Sequence, residues 1–349
     1  MRMQPSMADI ARAAGVSKNT VSLALRGSPR VLAATRQLVE ETARQLGYRP
    51  NPTVSHLMAR LRLSRSPGFQ ATLALFNGNE DREAFTRHPT IPCYVRGCRE
   101  RAARLGYRLD EFWMREPGIT AERWLTILRA RNIQGIVLVG LMRDHHLPPA
   151  LAPLWEALPT VVTGVRTRDP ALSFACSDHH TVALEAYEKA LALGYQRPAL
   201  VLDAVIDDLI EGRFTAGFLT AQSRHTPARC RTRPFHRVAE ARANPALFRT
   251  WLSANRPDVI FTLYREVLHW LHELKLRVPE DIGLIQYERR NEPDDWAGMD
   301  QRNDLVGEAA LDMLVSMIHH HESGAAECPR ATLIGPRWVD GTTVRRPVG

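Results

Sequence analysis

Residues 7–25, MADIARAAGVSKNTVSLAL, decide how the amino-terminal part of this 349-residue chain folds. Their apolar residues recur at helical spacing on both sides of a glycine: Ile10, Ala11 and Ala14, then Val21, Ala24 and Leu25. Gly15 can adopt the positive φ of a sharp turn, and Ser17 is a residue type that caps helices. The pattern therefore predicts two short helices that meet at a tight turn.

The face of the second helix opposite its apolar stripe carries side chains suited to DNA. A helix-turn-helix presents its second helix to the major groove in this way. We predict DNA contacts from residues at and after the turn: Ser17, Lys18, Asn19, Thr20, Ser22 and Leu23. Asn19 can form two hydrogen bonds with adenine, whereas Leu23 can make only apolar contacts, such as one to a thymine methyl.

The excess of basic residues lies at the same end of the chain as this motif. Residues 1–66 contain 11 Lys and Arg against 3 Asp and Glu, a net charge of +8, and the remaining residues contain 35 of each sign. An electropositive field confined to one end is what phosphate binding requires. A solvated surface without a partner is the alternative explanation, but the coincidence with the motif favours double-stranded DNA as the partner.

The sequence from the motif to residue 70 predicts a third helix, a linker and a short hinge. Residues 34–46 have helical spacing and end at Gly47. The linker YRPNP at 48–52 is extended, because proline disfavours helix in the residue before it. Residues 53–59, TVSHLMA, form a short helix-competent piece followed by arginines.

Three stretches, DIARAAGVSKNTVSLAL, TRQLVEETARQLGYRPNP and HLMARLR, resemble the DNA-binding head and hinge of the lactose-repressor/galactose-repressor (LacI/GalR) family. The resemblance implies a homodimer whose hinge helices pair, with Leu57 inserted into the minor groove at the operator centre and Asn51 at the DNA. Apolar wedges that kink DNA are a general device of minor-groove binding. An ordinary contact between Leu57 and a neighbouring domain is the alternative.

The chain departs from the family pattern at four positions of the head and hinge: Leu23, Leu32, Pro52 and Met58. Family members often have an arginine at the position of Leu23, where it can read a guanine, and usually a serine at the position of Leu32. We therefore expect an operator different from the family's common one, and a third helix whose cap does not come from Leu32.

The rest of the chain alternates strands with helices. Apolar runs rich in Val, Ile and Leu predict strands at 72–76, 136–139, 160–162, 199–202, 259–263 and 282–287. Intervening helices indicate parallel sheets covered on both faces, and the length suffices for two lobes. RAARLGYRL at 101–109 and KALALGYQRPAL at 189–200 each predict a helix ended by glycine and then a strand, one in each lobe.

The predicted fold is an all-α helix-turn-helix head followed by an α/β two-lobed domain that resembles periplasmic sugar-binding proteins. We divide the chain into a head at 1–52, a hinge helix and linker at 53–69, and a ligand-binding and dimerisation domain at 70–349. A carboxyl-terminal helix at 305–319 and the short strands after it are predicted to cross between the lobes. Such lobes close on a ligand at the carboxyl ends of their strands.

Five residues near those strand ends are predicted to bind the effector: Arg213, Tyr264, Arg265, Tyr287 and Glu288. The resemblance implies an arginine at the position of Phe214, an Asn-Asp pair at Tyr264 and Arg265, and an aspartate at Glu288, and this chain has none of them. Sugar sites need paired donors and acceptors for hydroxyls, so we expect a larger or modified saccharide rather than a free hexose or pentose. Loop residues without a ligand are the alternative for each of the five.

Two clusters that suggest catalysis or metal binding have simpler explanations. SDHH at 177–180 is predicted to begin a helix, because adjacent side chains diverge and seldom form a catalytic triad. HHHE at 319–322 lies at a predicted helix end, where histidine suits the helix dipole. The sequence has no glycine-rich phosphate loop and no zinc spacing, so we expect no catalytic residue, no metal and no cofactor.

Five scattered cysteines fit a reduced compartment, and the sequence shows no signal peptide or membrane-spanning run, so a cytoplasmic protein at the nucleoid is expected. We predict a ligand-responsive, homodimeric transcription regulator, a repressor, at a pseudo-palindromic operator. Two alternatives stay open. One is a cytosolic small-molecule-binding protein or enzyme with an accessory DNA head, and the other is a constitutive DNA-binding regulator without an effector.

Overall fold

The computed structural model of the protein describes residues 6–25, 31–46, 48, 71–289, 295–322, 324–325 and 328–345. The predicted hinge with Leu57, the linker residue Asn51 and the helix stop Gly47 lie outside these residues. Within them, no helix is long and apolar enough to cross a membrane.

The head is built from α1 (Met7–Ala13), α2 (Lys18–Ala24) and α3 (Ala33–Gln45). Gly15, in the turn between α1 and α2, has a φ of +65°, which confirms the predicted turn. Ile10, Val21 and Ala24, which helical spacing marked as apolar, form a small core with Val39 and Ala43 of α3 and with Val31 just before it. The head is thus the predicted helix-turn-helix, closed by a third helix.

Helix caps explain where the head helices begin. The Ser17 hydroxyl accepts a hydrogen bond from the N–H of Thr20 at 3.0 Å, which satisfies a free donor in the first turn of α2. Ser6 and Asp9 form a reciprocal capping box on α1. Leu32 begins α3 without a side-chain cap and is 80% exposed, as the departure from serine implied.

The first lobe contains a six-stranded parallel sheet. Its strands are β1 (Ala71–Asn77), β2 (Tyr107–Trp113), β3 (Ile133–Val139), β4 (Thr160–Thr163), β5 (Ser173–Ser177) and β10 (Ala331–Ile334), in the order β10-β5-β4-β3-β1-β2. The helices of its chain segment are α4 (Ala84–Arg87), α5 (Ile91–Leu105), α6 (Ala121–Ala130) and α7 (Ala152–Ala157). Every residue of β1 is buried, which explains its continuous apolar run.

The second lobe contains a five-stranded sheet in the order β11-β9-β8-β7-β6, with β11 antiparallel to β9. Its strands are β6 (Pro198–Val201), β7 (Val259–Thr262), β8 (Gly283–Gln286), β9 (Gly298–Asp300) and β11 (Arg337–Val339). Its helices are α8 (His179–Ala192), α9 (Ala204–Leu209), α10 (Arg213–His225), α11 (Val238–Ala243), α12 (Ala246–Asn255) and α13 (Glu266–Glu273).

Alternation along the strands divides each lobe into two apolar layers. In β1, Leu73 and Leu75 pack with α5, whereas Phe76 packs with Trp124 of α6 on the other face. In the second lobe, Ile285 faces α8 and α10, and Leu284 faces α11 to α13. Side chains within a strand therefore pack against one of the two helix layers. Residues that follow the end of a strand lie at the space between the lobes.

The chain crosses between the lobes three times, at β5 to α8, at β9 to α14 (Asn303–His319), and at β10 to β11. Helix α14 returns to the first lobe and packs directly on α5. A Cβ atom built on Gly97 of α5 would lie 1.9 Å from the Asp304 carbonyl oxygen, and one on Gly307 would lie 2.1 Å from that of Tyr94. The two helix backbones touch at these glycines, so neither position tolerates a side chain.

All six strands predicted from apolar runs are present, with bounds that differ by up to three residues. The strands β5 and β9 were not predicted as such. β9 has only three residues, and β5 contains serine at both ends, so neither has the apolar run that a sequence pattern needs.

Candidate functional site

The predicted DNA-binding residues of the head cluster at α2. Lys18, Asn19 and Ser22 lie within this helix. The hydroxyls of Ser17 and Thr20 are 2.8 Å apart and stabilise its first turn. Leu23 is half-buried and packs partly against the head core, so only part of its side chain remains for a base. The predicted base contacts of these residues stay predictions, as do those of Asn51 and Leu57.

A cavity of about 830 Å³ lies between the two lobes. Loops that follow the strands line it: residues 78–81 after β1, 114–115 after β2, 140–144 after β3, 263–266 after β7 and Glu288 after β8. The carboxyl ends of parallel strands are where α/β folds bind ligands. The cavity volume lies in the upper part of the range for small-molecule sites, about 300–1,000 Å³.

Three of the five predicted effector residues line this cavity: Tyr264, Arg265 and Glu288. Glu288 is 9% exposed, and one of its carboxylate oxygens accepts a hydrogen bond from the Asn303 amide at 2.9 Å. The Tyr264 hydroxyl accepts a hydrogen bond from the Asp203 N–H at 3.2 Å, which fixes the ring at the edge of the cavity. Burial raises the pKa of Tyr264 to about 12, so its hydroxyl stays protonated.

Tyr287, which was predicted to bind the effector, does not line the cavity. Its side chain is fully buried, and its ring stacks between those of Phe214 at 4.9 Å and Phe261 at 5.4 Å. Tyr287 shares the helix-facing side of its strand with Ile285, and the next residue, Glu288, turns to the cavity. Sequence proximity to the strand end does not distinguish these two orientations.

Arg213 does not line the cavity either, and its predicted contact with the effector stays a prediction. The guanidinium is 5.6 Å from the Phe174 ring and 3.5 Å from the Cys176 sulfur, both on β5 of the first lobe. It also pairs with Glu211 at 3.1 Å. Arg213 therefore joins the lobes.

Glu211 and Leu209 extend this contact between the lobes, which we call the interlobe contact (Leu209, Glu211 and Arg213 with Arg166 and Arg168). The Glu211 carboxylate lies 3.9 Å from Arg166 and 3.5 Å from Arg168, on the loop between β4 and β5. Leu209 is 5% exposed and packs into an apolar layer of the first lobe. Side chains of the second lobe thus hold the first lobe through both charge and apolar packing.

His179 lines the cavity, although sequence reasoning assigned it only to a helix start. The helix start is confirmed, since the Asp178 carboxylate accepts hydrogen bonds from the N–H and the hydroxyl of Thr181. The His179 ring is 6% exposed and meets the Phe214 ring edge-on at 4.9 Å. Its Nδ1 has no hydrogen-bond partner among the described residues. Burial, aided by Arg213, lowers the pKa of His179 to about 3, so the ring is neutral.

This buried histidine predicts a pH dependence of stability. Above pH 6.5, His179 is neutral in both states and contributes no dependence. Between pH 6.5 and about 3, His179 binds a proton in the unfolded chain but not in the folded chain. The free energy of unfolding therefore falls as the pH falls. The change in the free energy of unfolding from this residue reaches about 1.4 kcal/mol per pH unit.

In urea unfolding between pH 7.5 and 4, His179→Phe should lose this pH-dependent part of the free energy of unfolding. His269→Phe, which removes an exposed histidine, is the matched control, and equal slopes in wild type and His179→Phe would contradict the assignment.

The second histidine cluster gives no sign of a metal site. His319 lies 3.1 Å from the Tyr107 hydroxyl, and the His320 ring nitrogen lies 2.7 Å from the Ser316 carbonyl oxygen. Among the residues that the structure describes, no group of three or more His, Cys, Asp or Glu side chains is placed to hold a metal ion.

Two family models match the chain. Residues 6–51 match "Bacterial regulatory proteins, lacI family", and residues 187–344 match "Periplasmic binding protein-like domain". The chain is 25% identical over 336 residues to the HTH-type transcriptional regulator CelR of Thermobifida fusca, which covers 91% of the chain and 93% of that protein. It is 25% identical over 292 residues to PtxS of Pseudomonas plecoglossicida, covering 81% of the chain and 79% of that regulator.

Solved structures share the fold over nearly the whole length of the chain. A complex of the transcriptional regulator CelR with cellobiose superposes with a TM-score of 0.59 at 21% identity, covering 97% of this chain and 99% of that one. The lac repressor dimer bound to operator and the anti-inducer ONPF gives 0.56 at 19% identity, covering 99% and 100%. At these identities the likeness is one of fold.

Proposed function

The chain belongs to the LacI family of bacterial transcriptional regulators, and on that premise we propose that it is a repressor whose affinity for operator DNA is set by a small molecule in its interlobe cavity. The observation that carries the proposal is the joining, in one chain, of a helix-turn-helix head and a two-lobed domain with a cavity at its strand ends. It acts in the cytoplasm, where the chromosome is.

The head supplies the contact with DNA. Two heads of a homodimer would read the two halves of a pseudo-palindrome, because protein two-fold symmetry is mirrored by the operator. Lys18 and Asn19, at the start of α2, are the residues we propose for the major groove, and Leu57 is the proposed minor-groove wedge at the centre. The net charge of +8 in residues 1–66 supplies attraction to phosphates.

The cavity supplies the response to a ligand. A molecule that contacts both walls stabilises one arrangement of the lobes. If the arrangements differ in their affinity for DNA, binding of the molecule changes that affinity. The ligand we propose is a saccharide, larger or more modified than a free hexose, because Phe214 and Tyr264 occupy positions where the family has hydroxyl-binding side chains. Glu288 is the residue we propose for a remaining hydroxyl contact.

The DNA half of this proposal is tested by the change Asn19→Ala. Selection from a random DNA pool with the full chain should give a pseudo-palindrome, and the variant should lose preference at one base position in each half-site. A bidentate contact between asparagine and adenine provides about 1–3 kcal/mol of discrimination. Gln45→Ala, which removes an exposed amide at the end of α3, is the control and should leave the preference unchanged. An unaltered preference with Asn19→Ala would reject the assignment.

A further inference from the structure

A group of basic side chains lies at the end of the second lobe that faces away from the cavity. It contains five arginines, which we call the arginine surface: Arg197, Arg229, Arg231, Arg233 and Arg256. They belong to the segments just before β6 and β7 and to the segment between α10 and α11. Because the cavity lies at the carboxyl ends of the same strands, this surface is separate from the site described above.

Hydrogen bonds bring the three segments of the arginine surface together. The Arg197 guanidinium donates to the Asn255 carbonyl oxygen at 2.6 Å and to the Arg256 carbonyl oxygen at 3.0 Å. It also donates to the Arg229 carbonyl oxygen at 3.4 Å. The side-chain oxygen of Asn255 accepts a hydrogen bond from the Arg233 N–H at 2.8 Å. Segments that are distant in the sequence therefore meet around Arg197.

Alternation along residues 231–235 directs two of the arginines outward. This segment runs beside β6, and the Phe235 N–H donates to a carbonyl oxygen of that strand at 2.8 Å. Thr232 is buried, and its hydroxyl donates to the carbonyl oxygen of the first residue of β6 at 2.7 Å. Arg231 and Arg233, on either side of Thr232, are exposed.

The positive charge of the arginine surface is not matched by negative charge. Among the residues that the structure describes, no carboxylate forms an ion pair with any of the five guanidinium groups, and those of Arg229, Arg233 and Arg256 form no hydrogen bond. The adjoining Asp258 carboxylate is occupied by two backbone N–H groups, at 2.7 and 2.9 Å. Repulsion between like charges destabilises such a group, and an anionic partner would remove that cost.

A partly exposed tryptophan borders the arginine surface. The Trp251 indole N–H donates to the Arg233 carbonyl oxygen at 2.7 Å, and the ring packs on those of Phe235 and Phe248 at 5.4 and 5.6 Å. Trp251 is thus held beside the arginines with part of its ring open to solvent. Arginine and tryptophan are enriched among the residues that contribute most to protein–protein binding, so this combination favours a polypeptide partner.

We propose that the arginine surface binds a short acidic segment of another protein, with carboxylates on the free guanidinium groups and an apolar side chain on Trp251. Guanidinium groups bind carboxylates through paired hydrogen bonds. Nucleic acid would need an extended positive field, and residues 67–349 contain equal numbers of basic and acidic side chains. Since the surface lies opposite the cavity, the partner can bind while the cavity holds a ligand.

A labelled acidic peptide tests this proposal. The probe is a fluorescein-labelled peptide of alternating glutamate and alanine with one central phenylalanine. Its anisotropy is measured with the full chain in excess duplex DNA, so that the head is occupied by DNA and not by the peptide. Arg229→Gln, Arg233→Gln and Arg256→Gln, combined in one chain, should weaken binding about tenfold or more, because three charge-assisted contacts are removed.

The matched control removes the same charge from exposed positions of the first lobe. It combines Arg87→Gln, Arg123→Gln and Arg129→Gln, and it should leave the affinity within about twofold of wild type. Circular dichroism establishes that both variants are folded. If the triple variant of the arginine surface does not fold, the double change Arg229→Gln and Arg233→Gln takes its place.

Several results would overturn the proposal. They are equal affinities of wild type and the arginine-surface variant for the peptide, absence of binding, or equal binding of a peptide in which glutamine replaces glutamate. A fourth result is peptide binding that appears only without DNA and that the arginine-surface variant loses. This result would assign the surface to nucleic acid instead of an acidic polypeptide.

Discussion

A chain that begins at residue 70 should show no measurable affinity for the operator that the full chain selects. The head carries the helix-turn-helix, and the head and hinge together carry the whole excess of basic charge, while residues 70–349 contain 35 basic and 35 acidic side chains. Binding of basic side chains to phosphates releases counterions from DNA, and the fragment has no excess of basic side chains to drive this release. Fluorescence anisotropy on the selected duplex and on a scrambled one, over a range of salt concentrations, measures the difference.

The full chain is the reference in the same titration. Its affinity should fall steeply with salt, with each phosphate contact contributing about −0.9 to the slope of log K against log salt. Light scattering and thermal unfolding establish that the fragment is folded and dimeric. DNA binding by a folded fragment would place the basic contact surface outside the head and hinge and contradict the charge argument.

Gly97→Ala should destabilise the two-lobed domain by about 3 kcal/mol or more, the upper range for overpacking a core. The added methyl would lie 1.9 Å from the Asp304 carbonyl oxygen, and both groups belong to helix backbones that cannot rotate away. Helices α5 and α14 would have to separate, which opens the apolar layer between them. Urea unfolding monitored by circular dichroism gives the change in the free energy of unfolding.

Gly335→Ala is the matched control, because a Cβ atom at Gly335 meets nothing within 4 Å. It should change the free energy of unfolding by less than about 1 kcal/mol, through the unfolded chain alone. Gly307→Ala should behave like Gly97→Ala, since its methyl would lie 2.1 Å from the Tyr94 carbonyl oxygen. Equal stability of Gly97→Ala and Gly335→Ala would show that α5 and α14 are not in backbone contact.

The architecture could be predicted because it depends on local patterns. Helical spacing around Gly15 and a cap at Ser17 specify the head within one segment of sequence. Buried parallel strands are continuous apolar runs, so β1, β3 and β7 were visible. The strand β5 was missed because its SFACS sequence is short and bounded by serines.

The residues of the cavity could be predicted only in part. The direction of a side chain depends on contacts with residues that are distant in the sequence, and a short segment does not contain them. Glu288 lines the cavity and its neighbour Tyr287 does not, although both follow β8. Arg213 lies next to the cavity-lining Phe214, but its guanidinium reaches the other lobe. The only sequence signal for His179 and Ile206 is their position after a strand. A rule that assigns residues after the carboxyl ends of strands to the cavity would have included both.

The interlobe contact and the DNA-binding head should respond to different physical variables. The arginines that face Glu211 from the first lobe are about half exposed, at 48% for Arg166 and 56% for Arg168, and such ion pairs contribute little. Leu209 is the apolar part of the contact, and opening of the lobes would transfer it from an apolar layer into water. Apolar contacts weaken on cooling and carry a heat-capacity change. Cooling should therefore favour opening of the lobes, whereas ionic strength sets the affinity of the head for DNA. Temperature and salt would then act on different parts of one molecule.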